Sequence, residues 1–122
     1  MILVDTSLWI DHLRAPQDQL VAYLEQSDVW VHPFVVGELA LGSIKGRPSV
    51  VAALRGLPML PVVADDALLA FIDSHALHGV GIGYVDAHLL ILAQSTRKMR
   101  LWTRDRRMRL VVDRLGLAVQ HN

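Results

Sequence analysis

A short apolar run, residues 1–4, ends abruptly at the carboxylate of Asp5, and this feature constrains the fold more than any other. The run contains β-forming residues without polar alternation, which is typical of a parallel strand buried on both faces. In open sheets of parallel strands, ligands bind in the crevice at the carboxyl ends of the strands. The run therefore predicts an α/β fold and places Asp5 at the sheet edge where a functional site is expected.

Strand and helix patterns alternate along the rest of the chain, which indicates a central, mostly parallel sheet with helices on both faces. No linker or repeat interrupts the alternation, so residues 1–122 are predicted to form a single domain. Strand patterns cover residues 1–5, 29–32, 100–103 and 117–119, with a further short one within 59–63. Helical patterns follow Asp5 through Leu13 and then cover residues 16–26, 34–45, 48–55, 65–78, 84–96 and 105–115.

The 12 basic and 12 acidic side chains cancel, but they are distributed unevenly along the chain. Eight Lys or Arg residues and only two acids lie between Arg97 and Arg114. Such a block is compatible with a nucleic-acid-binding surface, because affinity for RNA depends on neutralising backbone phosphates, and equally with a solvated helix face. The candidates for contact with a nucleic acid are the arginines nearest to Asp105, namely Arg104, Arg106 and Arg107.

The chain has no cysteine, which excludes disulfides and thiolate metal sites and fits a reducing cytoplasm. Its first apolar run stops at Asp5 without a basic segment before it, so no signal peptide is predicted. No apolar run approaches the roughly 18 residues that cross a bilayer. We expect a cytoplasmic protein without a membrane association, whose 52% hydrophobic content reflects a large core, a surface buried by a partner, or both.

Further carboxylates are expected near Asp5. Asp105 follows the predicted strand 100–103, so it should lie at the same edge of the sheet. Asp86 and Glu38 lie on predicted helices, and their neighbours at helical spacing are mainly apolar, which predicts inward-facing carboxylates. An unpaired buried carboxylate is costly, and a divalent cation would compensate for it. Carboxylate oxygens select Mg²⁺ or Mn²⁺ over softer metals.

Each of these carboxylates, taken alone, has an ordinary structural explanation. Asp5 or Asp105 could cap the N-terminus of the following helix, where side-chain oxygens accept hydrogen bonds from free backbone N–H groups. Asp105 could also pair with a neighbouring arginine. Asp86 could serve the helix dipole in the first turn of its helix. Glu38 could form a buried pair with an arginine. The metal hypothesis therefore depends on the expectation that these side chains converge.

Four stretches of the chain resemble the motifs of PIN-domain ribonucleases, in the family's order and across nearly the whole chain. Residues 1–13, MILVDTSLWIDHL, look like the family's opening segment. Residues 35–43, VVGELALGS, resemble the stretch that carries its glutamate, and residues 83–90, GYVDAHLL, the stretch that carries its third acid. Residues 101–108, LWTRDRRM, look like its final hydroxyl-x-Asp motif. The compact length and these motifs are most similar to VapC toxins of VapBC toxin–antitoxin pairs.

The resemblance implies a Mg²⁺-dependent endoribonuclease, a hydrolase that cleaves phosphodiester bonds in structured RNA such as tRNA or rRNA. It also implies a homodimer and a small VapB-type antitoxin, whose C-terminal segment occupies the active-site groove. It assigns Thr103 to hold the carboxylate of the last acid, and Thr6 to a similar role beside Asp5. It assigns catalysis and the binding of Mg²⁺ or Mn²⁺ to Asp5, Glu38, Asp86 and Asp105.

Two other functions are weighed against this one. A non-catalytic PIN-like module would bind RNA or a partner protein without needing metal and without turnover. It is disfavoured because all four acids are present. A phosphotransferase of α/β type is disfavoured because Asp5 has no second Asp two residues later and no phosphate-binding loop follows the first strand.

The histidines and glycines indicate no separate site. His75 and His78 are three residues apart, but no further zinc ligand is evident. His88 is predicted to be a surface residue or a core residue whose hydrogen bonds are satisfied. The glycines within residues 79–83 lack the dinucleotide-binding spacing and are interpreted as a flexible loop near the site.

Overall fold

The computed structural model describes residues 1–120, and the sheet within this range has three parallel strands. Strand β1 (Ile2–Val4) lies in the middle, with β2 (Val29–Trp30) on one side and β3 (Arg100–Trp102) on the other. In the register of the sheet, Leu3 is aligned with Trp30 of β2 and with Leu101 of β3. The parallel pairing confirms the predicted α/β class.

Both faces of β1 are covered by the rest of the protein. Successive side chains of a strand point to opposite faces of the sheet. Ile2 is only 5% exposed, and Leu3 and Val4 are completely buried. The apolar run has no polar alternation because the strand is buried on both faces, as predicted from the sequence.

Seven helices accompany the sheet within residues 1–120. Most of them begin where the sequence offers a local start signal, such as the carboxylate of Asp5 or a proline in the first turn. The helices are α1 (Thr6–Arg14), α2 (Asp18–Glu25), α3 (Pro33–Ala40), α4 (Arg47–Arg55), α5 (Asp65–Ser74), α6 (Tyr84–Ser95) and α7 (Arg106–Arg114).

Two helices, α3 and α5, end several residues earlier than predicted. Helix α3 stops at Ala40 instead of residue 45, because the N–H of Gly42 turns back to the carbonyl of Leu39 and closes a tight turn. Helix α5 stops at Ser74 instead of residue 78, because Ala76 takes the left-handed conformation with a φ of 51°. In both places the apolar periodicity of the sequence continues, but a local turn ends the helix.

The two weaker predicted strands are reduced to single bridges. Met59 forms one parallel bridge with Val31, and Ala118 forms one with Leu101. These bridges lie at the outer edges of β2 and β3, so they extend the sheet by one residue pair on each side. The buried apolar side chains of residues 1–120 form a hydrophobic core around it, and the predicted domain of residues 1–122 runs slightly beyond the described range.

Each strand delivers an N-cap residue to the same edge of the sheet. Asp5 follows β1 and caps α1, His32 follows β2 and caps α3, and Asp105 follows β3 and caps α7. Because the strands are parallel, these caps lie at the carboxyl edge, where open α/β sheets bind ligands. Among residues 1–120 there is no helix whose length and apolar character would let it cross a membrane.

Candidate acidic site at the carboxyl edge of the sheet

Asp5 is a buried carboxylate whose two oxygens are both hydrogen-bonded. The residue is 2% exposed. Its Oδ1 accepts a hydrogen bond from the N–H of Leu8 at 3.2 Å and another from the hydroxyl of Ser7 at 2.6 Å. Its Oδ2 accepts a hydrogen bond from the hydroxyl of Thr103. The helix cap and the two hydroxyls hold the Asp5 carboxylate in one orientation.

The two hydroxyls that hold Asp5 are themselves oriented by backbone donors. The N–H of Arg104 donates to Ser7 Oγ at 3.1 Å, and the N–H of Asp105 donates to Thr103 Oγ1 at 3.0 Å. A hydroxyl oxygen that accepts one of these bonds keeps its own proton available for donation. Both hydroxyls therefore donate to the carboxylate of Asp5. Together these bonds link the β1–α1 connection to the β3–α7 connection.

The pKa of Asp5 reflects a balance between burial and these hydrogen bonds. Burial raises the pKa, and the bonds from Ser7, Thr103 and Leu8 lower it. The negative charge of Asp105 raises it further, and the net pKa lies above its usual value of 3.8. Asp5 is therefore within electrostatic reach of Asp105, as predicted from their positions after β1 and β3.

Asp86 lies in the first turn of α6 and is partly buried. Its Oδ2 accepts a hydrogen bond from the N–H of Gly83 at 3.0 Å. Burial is the main reason that its pKa lies above the usual value of 3.8, and the bond from Gly83 opposes this rise. The charges of Asp5, Asp105 and Glu38 each raise the pKa of Asp86 further. All four predicted acids are therefore electrostatically linked through Asp86.

Glu38 is exposed, so the prediction that its carboxylate faces inward is wrong. Its apolar neighbours Phe34 and Leu41 are themselves 36% and 91% exposed, and they do not mark a core-facing side of α3. Its Oε1 accepts a hydrogen bond from the hydroxyl of Thr6 at 2.7 Å. Within residues 1–120 no arginine pairs with it. Thr6 was predicted to hold the carboxylate of Asp5, but its hydroxyl binds Glu38 instead.

Asp105 combines a capping role with a position at the acidic edge. It is exposed, and its Oδ1 accepts a hydrogen bond from the N–H of Met108 at 2.9 Å. Thr103 was predicted to hold the carboxylate of Asp105, but it does not bind that carboxylate. Its hydroxyl donates to Asp5 and accepts a hydrogen bond from the backbone N–H of Asp105. The hydroxyl-x-Asp segment therefore connects two acids through one threonine.

Comparison with known proteins assigns this arrangement to a family. Residues 2–113 match the family model of the PIN domain. The chain belongs to the PIN-domain family. Ribonuclease VapC32 of Mycobacterium tuberculosis, from strains CDC 1551 / Oshkosh and ATCC 25618 / H37Rv, is 45% identical over 119 residues. The alignment covers 98% of this chain and 96% of either relative, so the chain is a VapC-type PIN domain.

The acids of this PIN domain fit a hard divalent cation in chemistry and in charge. They are carboxylates, which Mg²⁺ and Mn²⁺ prefer. Burial, and then repulsion by the other acids, raises the pKa of Asp86, and a cation would offset both effects. Within residues 1–120, no group of three or more acids or histidines is already arranged to hold an ion. Glu38 and Asp105 are exposed, so a rotation of either side chain toward an ion would leave the core intact and break only its bond to Thr6 or to the N–H of Met108.

The three arginines predicted to contact RNA differ in their surroundings. Arg104 forms an ion pair with Asp11 at 3.1 Å and donates to Gln17 Oε1 at 2.6 Å. Arg107 packs against Gly81, so closely that a Cβ added there would lie 2.6 Å from its Cδ. Arg106 is exposed and makes no hydrogen bond or ion pair with the part of the chain described. Contact with RNA remains a prediction for all three.

Two residues at this edge of the PIN domain were missed in the sequence. Ser7 could have been found as a hydroxyl two residues after Asp5, a spacing at which a side chain can return to a capping carboxylate. His32 could have been found because it follows a strand and precedes a proline, which is a helix-start position. Its Nδ1 accepts a hydrogen bond from the N–H of Phe34 at 3.0 Å.

Proposed function

We propose that this protein is a metal-dependent endoribonuclease, the toxin of a VapBC-type pair, which hydrolyses phosphodiester bonds in structured RNA such as tRNA or rRNA. The observation that carries the proposal is that Asp5 and Asp105 follow two paired parallel strands and are connected through the hydroxyl of Thr103. The charges of Asp5, Asp105 and Glu38 also act on Asp86. The two relatives, named ribonucleases, support the reaction class. The cytoplasm, where such RNA is found, is the expected location.

The acids have different parts in the proposed reaction. Asp5, Glu38, Asp86 and Asp105 would hold the ion. A bound Mg²⁺ or Mn²⁺ would activate water and neutralise charge on the phosphate. Asp5 contributes a fixed carboxylate, because Ser7 and Thr103 hold both of its oxygens. The exposed carboxylates of Glu38 and Asp105 lie where solvent and substrate can reach them.

The basic residues near the site would bind the RNA backbone. An edge made of carboxylates repels phosphate, so positive side chains beside it favour productive binding. Arg106 is the strongest candidate, since it is exposed and not engaged with other described residues. Arg104 would contact RNA only after leaving Asp11, and we expect its main effect to be on stability.

A VapB-type antitoxin would cover an apolar groove beside Glu38. The groove has a volume of about 430 Å³, and Ile10, Leu13, Leu39 and Ile44 are among the residues that line it. Such a groove suits the side chains of an extended or helical segment. Ile10 is 38% exposed, which a bound segment would reduce. A homodimer belongs to the same proposal, and sedimentation of the isolated protein tests it.

The proposal is tested by removing the charge of single acids. Asp5→Asn and Glu38→Gln should each lower Mg²⁺-dependent cleavage of tRNA or rRNA by about a hundredfold or more, because a ligand charge is lost. Glu38→Gln is the safer variant, because Glu38 is exposed and its loss leaves the core intact. Glu25→Gln, an exposed acid on α2, is the matched control and should cleave normally. Full cleavage by both site variants would overturn the proposal.

The second candidate, a non-catalytic PIN-like module, is favoured by one observation. No three acids or histidines within residues 1–120 are arranged to share an ion. This module would bind RNA equally well with Mg²⁺ and with a chelator, and would not turn it over. A cleavage assay and a binding assay with the same RNA separate the two functions.

A further inference from the structure

Two neighbouring histidines, His32 at the carboxyl edge of the sheet and His88 on α6, each have a buried ring nitrogen without a partner within residues 1–120. His32 is completely buried and His88 is 1% exposed. Their ring centroids lie 5.7 Å apart, with ring planes inclined at 43°. His32 Nε2 and His88 Nδ1 have no hydrogen-bond partner within residues 1–120. Orphaned buried polar atoms are rare in folded proteins, because an unpaired buried donor or acceptor loses its hydrogen bond to water and gains none in return.

The cap of α3 fixes which nitrogen of His32 carries the proton. His32 Nδ1 accepts a hydrogen bond from the N–H of Phe34 at 3.0 Å, so this nitrogen holds a lone pair. A neutral imidazole then has its proton on Nε2. The orphaned atom of His32 is therefore a donor that requires an acceptor.

His88 offers that acceptor if its own proton lies on Nε2. We propose that His32 Nε2–H and His88 Nδ1 satisfy each other, directly after a small ring movement or through one buried water, and that this imidazole pair positions the two acid-bearing helices. The imidazole pair is His32 with His88. Both forms of the bond require the same tautomer, with the proton on Nε2, in both rings.

The position of the imidazole pair connects it to the acids. His32 caps α3, the helix that carries Glu38, and His88 follows Asp86 by two residues on α6. Phe34 packs edge-on against both rings, with centroid distances of 4.9 Å. The bond would fix the start of α3 against α6, and so fix the distance between Glu38 and Asp86. This positioning effect rests on the proposed function, whereas the bond itself rests on the two orphaned nitrogens.

The bond is tested first by the tautomers, without any metal or RNA. Long-range ¹H–¹⁵N NMR spectra at neutral pH report which ring nitrogen of each histidine is protonated. Spectra of His32→Asn and His88→Asn assign the signals. We expect the proton on Nε2 in both rings, with Nδ1 of His88 shifted as a hydrogen-bond acceptor. A proton on Nδ1 of His88, or a doubly protonated His88, would overturn the proposal.

The positioning role is tested by variants that change one feature at a time. His32→Asn keeps a side-chain acceptor for the cap of α3 and removes the Nε2 donor. His88→Leu removes the acceptor and keeps apolar volume, whereas His88→Asn keeps an acceptor close to the position of Nδ1. His78→Asn, at an exposed histidine, is the matched control.

The readout is the affinity for Mn²⁺ alone, measured by electron paramagnetic resonance. Loss of a residue that hydrogen-bonds a metal ligand lowers metal affinity roughly 10–100-fold. The imidazole pair does not bond the acids directly, so its loss should lower the affinity for Mn²⁺ by about fivefold. We expect this loss in His32→Asn and His88→Leu, near-normal affinity in His88→Asn and His78→Asn, and no added loss in the double variant His32→Asn/His88→Leu.

Two results would contradict the positioning role. One is an additive loss in the double variant, which would mean that the histidines act separately. The other is a loss in His88→Asn as large as in His88→Leu, which would mean that only ring packing matters. If wild-type protein binds no Mn²⁺, the metal-dependent function fails, while the tautomers still decide whether the bond exists.

Discussion

The hydroxyl of Thr103 donates a hydrogen bond to Oδ2 of Asp5, and these two residues are 98 positions apart in the chain. The same hydroxyl accepts a hydrogen bond from the N–H of Asp105, so one threonine connects the ends of β1 and β3. Because Asp5 is almost completely buried, the loss of this donor cannot be replaced by bulk water. The bond is therefore part of both the fold and the proposed site.

Thr103→Val removes this hydroxyl with little change of shape. We expect the free energy of unfolding to fall by about 1–3 kcal/mol, because the Asp5 carboxylate and the Asp105 N–H each lose a partner. Urea unfolding measures the loss, and the cleavage rate should fall with it. Thr103→Ser, which keeps the hydroxyl, should retain most of both properties. Equal losses in the two variants would show that the methyl group, and not the hydroxyl, matters.

Asp86→Asn should stabilise the metal-free protein while it lowers cleavage. Burial raises the pKa of Asp86 above 3.8, and the charges of Asp5, Asp105 and Glu38 raise it further. The ionised carboxylate is therefore disfavoured in the folded state at neutral pH. An asparagine removes the charge and can still accept the hydrogen bond from Gly83. Urea unfolding without metal should show a higher free energy of unfolding for the variant.

The pH dependence of this stabilisation has a definite sign. A carboxyl whose folded pKa is raised binds protons more strongly when folded. Its contribution to stability is fully present below the unfolded pKa, near 3.8, and is lost as the pH rises through the folded pKa. The advantage of Asp86→Asn should therefore shrink from pH 7 toward pH 4. Saturating Mg²⁺ at pH 7 should also remove the stability advantage of Asp86→Asn. An advantage that depends neither on pH nor on Mg²⁺ would contradict the idea that the ionised carboxylate of Asp86 destabilises the metal-free protein.

Gly81→Ala should be more harmful than Gly79→Ala. Both glycines have a left-handed backbone, with φ of 86° and 71°, so alanine costs about 1–2 kcal/mol at either position. Only at Gly81 would the added Cβ also collide with Arg107, at 2.6 Å from its Cδ. The extra loss in the free energy of unfolding should disappear in the double variant Gly81→Ala/Arg107→Ala. Persistence of the extra loss would mean that Arg107 is not its cause.

The sequence was sufficient for features that depend on local order along the chain. Asp5 and Asp105 follow apolar strand segments, so their place at the carboxyl edge follows from parallel pairing alone. The capping roles that were weighed for both residues are confirmed, and they coexist with proximity to the other acids. A structural and a functional explanation of these aspartates are therefore compatible.

Features that depend on contacts between distant segments could not be predicted. The exposure of Glu38 is decided by which side of α3 faces the core, and the apolar neighbours gave the wrong side because Leu41 is itself exposed. Thr6 binds Glu38 because α1 and α3 approach each other, which no spacing in the sequence reveals. His88 was predicted to be either a surface residue or a core residue with satisfied hydrogen bonds, yet it is buried and its Nδ1 has no partner within residues 1–120.

The measurement that tests the central claim most directly is anomalous diffraction from crystals of the protein soaked in Mn²⁺. We predict a peak at the carboxyl edge of the sheet, within bonding distance of Asp5, Asp86 and Asp105, with Glu38 turned toward it. Asp5→Asn crystals soaked in the same way provide the control and should show a much weaker peak. Mn²⁺-saturated crystals without a peak at this edge, or with the four acids turned apart, would contradict the account.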